Sequence, residues 1–220
     1  NFESKKIYAS WVIVSEYSEN YSHWKAVKSL WEWLKEQWIP AITWVDTREL
    51  TKILREQWST LWWIIDKKSS LPKEIEDPNL RSLAGECSID EAKVYEPEDG
   101  IWKTVLVYDY WIKNNILREF LKRWVKVIHA PFDAKIQDFE FDWLFLSNWP
   151  WNPEVAFPFA KENILYATEK NIPTFWICLW NQLLSLAIWA ETEKMPYWHR
   201  WANQPCIDLE TWRCYITSQN

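Results

Sequence analysis

From residue 103 onward the chain alternates two kinds of segment, and that rhythm limits its fold more than any other feature. "KTVLVYDY" (103–110), "VKVIHA" (125–130), "WLFLSN" (143–148) and "PTFWIC" (173–178) are short apolar runs rich in strand formers. Between them lie "IKNNILREFLKR" (112–123), "EVAFPFAKENILYATEK" (154–170) and "LWNQLLSLAIWA" (179–190), which carry helical periodicity. The strand runs are continuously apolar rather than alternating, so both their faces are buried, as in a parallel sheet covered by helices. The expected class is α/β, with a parallel doubly wound sheet and a final strand at "RCYIT" (213–217). Ligands of such sheets sit at the carboxyl ends of the strands. Ser147-Asn148 and Cys178 both occupy such ends.

The first half reads differently. "KAVKSLWEWLKEQ" (25–37) predicts a helix and "AITWV" (41–45) a short strand. "TRELTKILREQ" predicts a helix capped by Asp46 or Thr47, with Leu50, Ile53 and Leu54 on one face. "TLWWII" (60–65) is a further strand candidate. The polar stretch that follows, with Pro72, Pro78 and Pro97, contains an expected linker near 88–101. The expected division is a smaller α/β domain over 1–90, a linker over 91–101 and the parallel-sheet domain over 102–220.

The 220 residues carry 25 Lys+Arg against 31 Asp+Glu, a net charge of −6. No basic stripe points to nucleic acid. No apolar run reaches the roughly 18 residues of a membrane span, and no signal-like N-terminus is present. The chain opens at Asn1 without Met and is read as a fragment. Its four cysteines, at 87, 178, 206 and 214, are scattered and form no CxxC pair. Reduced thiols in a cytoplasmic protein are the expectation.

Composition matters at one point. The chain has 2 Gly and 21 Trp, whereas average usage of about 7% would give roughly 15 glycines. Trp38, Trp58 and Trp124 each follow a helical stretch, the place of a C′ glycine. Trp149 and Trp151 occupy the turn "SNWPWNP", and Trp176 and Trp180 flank Cys178. Turns of this kind ask for positive φ, which glycine adopts without steric cost. Trp24 and Trp33 alone lie where a large aromatic is natural, leaving 19 suspects. The suspects are read as glycines, the expected outcome of a gene in which UGA means glycine being translated with a code in which it means Trp.

Cys178 is the sharpest chemical feature. With glycines restored, "FWICLWNQ" becomes a strand–turn–helix step with small neighbours, the logic of a nucleophile elbow. A helix N-terminus there favours thiolate. A cysteine nucleophile needs a base, usually a histidine oriented by a carboxylate. His23, His129 and His199 show no such arrangement and are read as solvated or satisfied. The "SNWPWNP" turn, restored, would let backbone N–H groups approach a ligand. Phe120, Phe132, Phe139 and Phe141 are read as core, and Cys206 and Cys214 as structural thiols.

Taken together, "LFLSN(G)P(G)NP" and "(G)ICL(G)NQLL" resemble the class I, triad-type glutamine amidotransferases. "T(G)VDTRELTKILRE" (43–56) and "KMPY(G)HR(G)ANQPC…YITSQN" (194–220) narrow the resemblance to the small, glutaminase chain of carbamoyl-phosphate synthetase. The resemblance implies that Cys178 attacks the glutamine side-chain amide and that the Leu179 N–H helps hold the oxyanion. It implies that positions 149 and 151, here Trp149 and Trp151, touch glutamine, as do Gln182 and Asn220. It places the partner His and Glu in a His-Pro-Glu motif beyond Asn220. Ammonia would pass to a large chain that uses ATP, bicarbonate and Mg, so no cofactor is expected in this chain. Indoles at 149 and 151 would fill the glutamine pocket, so the polypeptide as written, lacking its base, is expected to be inactive.

Two other readings stand beside this one. The first is an amidotransferase for another acceptor, of anthranilate or GMP synthetase type; the "DTRELT" stretch argues against it. The second is a non-catalytic, Trp-rich binding protein, which predicts exposed indoles gathered into a platform.

Overall fold

The computed structural model describes residues 2–57, 61–65, 74, 76–148, 152–178, 180–193 and 203–217. In chain order the elements are β1 (Val12–Ile13), α1 (Leu30–Glu36), β2 (Ala41–Ile42), α2 (Thr47–Gln57), α3 (Leu83–Cys87), β3 (Lys93–Tyr95) and β4 (Lys103–Asp109). There follow α4 (Asn114–Leu121), β5 (Val125–Pro131), β6 (Trp143–Leu146), α5 (Pro153–Glu169), β7 (Thr174–Trp176), α6 (Trp180–Ala187), β8 (Gln204–Ile207) and β9 (Cys214–Thr217).

The chain forms two compact units. The larger comprises Asn1–Val12, Ser18–Ala41 and Glu76–Thr192. It is built on a five-stranded sheet of order β3-β5-β4-β6-β7. β4 pairs in parallel with β5 and β6, and β6 with β7, while β3 runs antiparallel to β5 at the edge. Val105, Leu106, Val107 and Tyr108 of β4 are at most 1% exposed, which accounts for their unbroken apolarity. On one face Leu106, Tyr108, Leu144 and Leu146 pack with Ala160, Ile164 and Leu183 from α5 and α6. On the other, Val105, Val107 and Phe145 pack against Leu117 and Phe120 of α4. Covering both faces is the doubly wound arrangement expected from the βα rhythm. Phe120, Phe132, Phe139 and Phe141 all pack against one of these two cores.

Several expectations need adjustment. The helix expected over 25–37 begins at Leu30. Ser29 and Glu32 form a reciprocal capping box there: the Ser29 hydroxyl accepts the Glu32 N–H, and the Glu32 carboxylate accepts the Ser29 N–H. The strand expected over 41–45 stops at Ile42, because Trp44 turns the backbone to φ 64°. Residues 61–65 of the expected strand 60–65 form no regular element, and position 60 lies outside the described residues. The expected linker contains β3, whose Lys93, Val94 and Tyr95 add an edge to the sheet opposite His129, Ile128 and Val127.

The smaller unit comprises Ile13–Tyr17, Ile42–Ile75 and Glu193–Asn220. Its helix α2 is capped by Asp46, whose carboxylate accepts the Glu49 N–H at 2.9 Å. β8 and β9 form an antiparallel hairpin in which Cys206 lies opposite Tyr215.

The backbone bears directly on the tryptophan anomaly. Eight described residues other than glycine have positive φ, and six are tryptophans: 38, 44, 111, 124, 189 and 212. Three helices end in one and the same motif. After α1, the Trp38 N–H bonds the Lys35 carbonyl and the Ile39 N–H the Leu34 carbonyl. After α5, Asn171 and Ile172 bond Thr168 and Ala167; after α6, Trp189 and Ala190 bond Leu186 and Ser185. This is a Schellman ending, whose left-handed C′ position takes glycine or asparagine. Asn171 meets that demand; Trp38 and Trp189 do not. Trp124 also holds positive φ, as expected from sequence, whereas Trp58 lies outside the described residues.

Candidate active site

Cys178 lies between the end of β7 and the start of α6, at the carboxyl edge of the parallel sheet. The Ile177 N–H bonds the Leu146 carbonyl at 3.1 Å, which ties the elbow to β6. The Asn181 N–H bonds the Cys178 carbonyl at 3.1 Å and opens the helix. Between these two bonds the chain must reverse, and Cys178 does so with φ 61°. A side chain with a Cβ is strained in that region, and strained backbone of this kind gathers at functional positions. The thiol is exposed. Among the described residues its sulfur has no hydrogen-bond partner.

Gln182 stands one turn along α6 from Cys178 and is exposed at the same end of the sheet. Trp149, Trp151, Leu179 and Asn220 lie outside the described residues. The approach to positions 149–151 is described, however. Ser147 is fully buried, and its hydroxyl accepts the Tyr110 N–H at 3.1 Å. The Asn148 side-chain amide donates to the Trp111 carbonyl at 3.3 Å. On the far side, Asn152 caps α5 by accepting the Glu154 N–H, with Pro153 at the first helical position. The residues on both sides of positions 149–151 are therefore fastened.

The two tryptophans beside Cys178 differ from the six in left-handed backbone; so do Trp11, Trp31, Trp62, Trp63, Trp102 and Trp143, described suspects that also lack positive φ. Neither Trp176, in β7, nor Trp180, in α6, has positive φ, so the backbone does not demand glycine there. Space is the issue at position 180. The Trp180 ring is 1% exposed and lies 4.7 Å from the Tyr110 ring, and its indole N–H is buried without a partner. An unmade hydrogen bond of that kind costs about 1–3 kcal/mol. Trp176 and Trp180 also line an apolar cleft of about 410 Å³ between β6, β7, α5 and α6, together with Leu144, Ile164 and Leu184. Cys178 does not line it.

The histidine reading requires correction at one residue. His129 does face a carboxylate: its Nε2 lies 3.2 Å from Asp109 Oδ2, and both residues are 4% exposed. Burial pushes the Asp109 carboxyl up. The contact with His129 and the N–H groups of Ile112 and Trp111 outweigh burial and hold it below the ordinary carboxylate range. Sequence reasoning missed the pair because the two residues are brought together by the register of β4 and β5, where His129 lies opposite Val107, two residues before Asp109. His129 is not the base for Cys178. β5 and β7 are three strand spacings apart in the sheet, roughly 14 Å. His23 stacks on Trp24 in the first half of the chain, and His199 lies outside the described residues. Among the described residues no cluster of His, Cys, Asp or Glu could hold a metal ion, and no helix is long and apolar enough to cross a membrane.

Known proteins resemble this chain in sequence. Residues 1–64 match the carbamoyl-phosphate synthase small chain, CPSase domain, and residues 106–220 match glutamine amidotransferase class-I. The multifunctional protein CAD of Squalus acanthias is 43% identical over 227 residues, covering 100% of this chain and 10% of that protein. The carbamoyl phosphate synthase arginine-specific small chain of Saccharomyces cerevisiae is 40% identical over 225 residues, covering 100% of this chain and 54% of its own length. The mitochondrial carbamoyl-phosphate synthase [ammonia] of Aquarana catesbeiana is 35% identical over 219 residues, covering 99% of this chain and 14% of that protein. The chain thus spans about half of the yeast small chain and a much smaller part of the other two. The match over residues 106–220 covers more than half of the sequence and settles the family: the chain belongs to the class-I glutamine amidotransferases.

Proposed function

We propose that this chain is the glutamine-hydrolysing part of a carbamoyl-phosphate synthase. The Cys178 thiolate attacks the side-chain amide carbon of L-glutamine. The C–N bond breaks, ammonia leaves with the proton taken from the thiol, and water then cleaves the thioester to glutamate and free thiol. The observation that carries this reading is the left-handed backbone at Cys178, which lifts an exposed thiol off the carboxyl edge of a parallel sheet at the start of a helix. Gln182 and Ser147-Asn148 flank the same edge; Gln182 and positions 149 and 151 would hold the substrate, with Leu179 and Asn220 completing the set. The base is assigned to the His-Pro-Glu motif that the resemblance places beyond Asn220. Ammonia then passes to a large chain, where ATP, bicarbonate and Mg enter; no cofactor is assigned to this chain. A cytoplasmic location belongs to the same reading.

The match over residues 1–64 favours this acceptor over an anthranilate or GMP synthetase partner. The Trp-rich binding protein is disfavoured by where the exposed indoles stand. Trp38, Trp124 and Trp189 each close a different helix, which is the pattern of separate turns rather than a platform. The test is ammonia release from glutamine by the full-length protein with its natural residue at each suspect position, beside a Cys178→Ser variant. Loss of at least a thousand-fold in the variant is expected; equal release from both removes Cys178 from the mechanism.

A further inference from the structure

Asp109 is a buried carboxylate that the glutaminase chemistry does not use, and all the contacts found for it lead toward the substrate loop or brace it from behind. It is the last residue of β4. Its Oδ1 accepts the Trp111 N–H at 3.1 Å and the Ile112 N–H at 3.0 Å, which closes the turn that follows the strand. That turn is what grips β6: the Tyr110 N–H donates to the Ser147 hydroxyl, and the Trp111 carbonyl accepts from the Asn148 side chain. On its other side, Asp109 Oδ2 accepts the Ile89 N–H at 3.1 Å and faces His129 Nε2 at 3.2 Å. Neither ring nitrogen of His129 makes a well-aligned hydrogen bond. The imidazole therefore braces Asp109 by close packing, with the Tyr95 ring 6.3 Å away on its β3 side.

We propose that Asp109, backed by His129, is a positioning residue for glutamine binding: it freezes the 110–112 turn, and that turn sets Ser147 and Asn148, the residues that directly precede the positions the resemblance assigns to glutamine. The proposal rests on the glutamine-site reading given above. The physical basis is that a loop meant to hold a small amide through its backbone must be fixed to a fraction of an ångström. Loop backbone cannot fix itself. A buried carboxylate that accepts three backbone N–H groups fixes the two segments beside it, because moving either leaves charge and donors unpaired in a low-dielectric interior. Asp109 does not touch the thiol, so its effect falls on substrate binding rather than on the nucleophile.

The test uses the full-length protein with its natural residue at each suspect position. Asp109→Ala and Ser147→Ala are each expected to raise KM for glutamine at least five-fold while kcat stays within three-fold. Asp109→Asn keeps the Oδ1 acceptor for the Trp111 and Ile112 N–H groups and is expected to hold KM within three-fold. Alkylation of Cys178 by iodoacetamide is expected to proceed at the parent rate in all three. A folded Asp109→Ala protein whose KM rises less than five-fold overturns the proposal, as does a loss confined to kcat. Should Asp109→Ala fail to fold, Ser147→Ala decides on the same criterion. If Cys178→Ser releases ammonia as fast as the parent, the glutamine-site reading falls, and this proposal with it. If Cys178→Ser is dead while Ser147→Ala keeps its KM, only this proposal falls.

Discussion

The tryptophans in left-handed backbone give the sharpest quantitative prediction. A residue with a Cβ held at positive φ costs about 1–2 kcal/mol relative to glycine. Glycine gives back part of this, because it adds about 0.4–1 kcal/mol of freedom to the unfolded chain. The remaining term is what the indole packs against, and here the structure decides. Trp38, Trp44 and Trp189 are 91, 87 and 92% exposed, so truncating them loses almost no buried surface. Each of Trp38→Gly, Trp44→Gly and Trp189→Gly is therefore expected to stabilise the chain by about 0.5–1 kcal/mol. For a chain of this size that is an upward shift in Tm of roughly 1–4 °C per substitution. Trp33→Gly is the opposing control. Trp33 lies inside α1, with its ring 4.9 Å from Phe2, and glycine in a helix interior costs about 1 kcal/mol before any packing is lost. Single variants of the chain as written, followed by thermal melts in circular dichroism, measure all four. If the three exposed substitutions lower Tm as much as Trp33→Gly does, the steric reasoning fails, and with it the case that these positions ask for glycine.

Two further outcomes follow from the packing and the charges. Leu183 of α6 is fully buried against the sheet, so Leu183→Ala is expected to cost about 2–5 kcal/mol, read as a fall in the urea midpoint. The Asp109 carboxyl titrates below its ordinary value in the folded chain, so it contributes stability that is present above the ordinary carboxylate pKa and is lost as pH falls through the lowered native value. Urea midpoints measured from neutral pH down to the acid range are expected to fall less steeply in Asp109→Asn than in the parent; identical slopes would show that His129 and the backbone donors do not favour the charged form.

The identities of β4, β5 and β6 were legible because both faces of the sheet are covered there, which makes each of these strands a continuous apolar run. Cys178 was legible because a strand end, a cysteine and a helix start stand next to one another in sequence. Trp38 and Trp124 were legible as left-handed positions because a helix ending can be read locally. Trp44, Trp111 and Trp212 were counted among the 19 suspects, but no local signal marked their backbone as left-handed, since the turns they occupy follow two- to seven-residue strands whose ends the sequence does not mark. β3 was hidden because "KVY" sits in a polar, acidic stretch and is a strand only by virtue of its partner β5. The Asp109–His129 pair was hidden for the same reason: twenty residues separate its members, and register alone joins them. Trp176 and Trp180 were grouped with the turn positions by their closeness to Cys178, yet their backbone is that of ordinary strand and helix.

The elbow carries a thermodynamic consequence. Cys178 occupies the same region of backbone space as the six left-handed tryptophans, and its own Cβ is strained there just as theirs are. A Cys178→Gly chain should therefore be more robust than the one that bears the thiol. Fold stability and the proposed reactivity pull in opposite directions at this one residue, so a screen for heat resistance alone would discard the group to which the proposed chemistry is assigned.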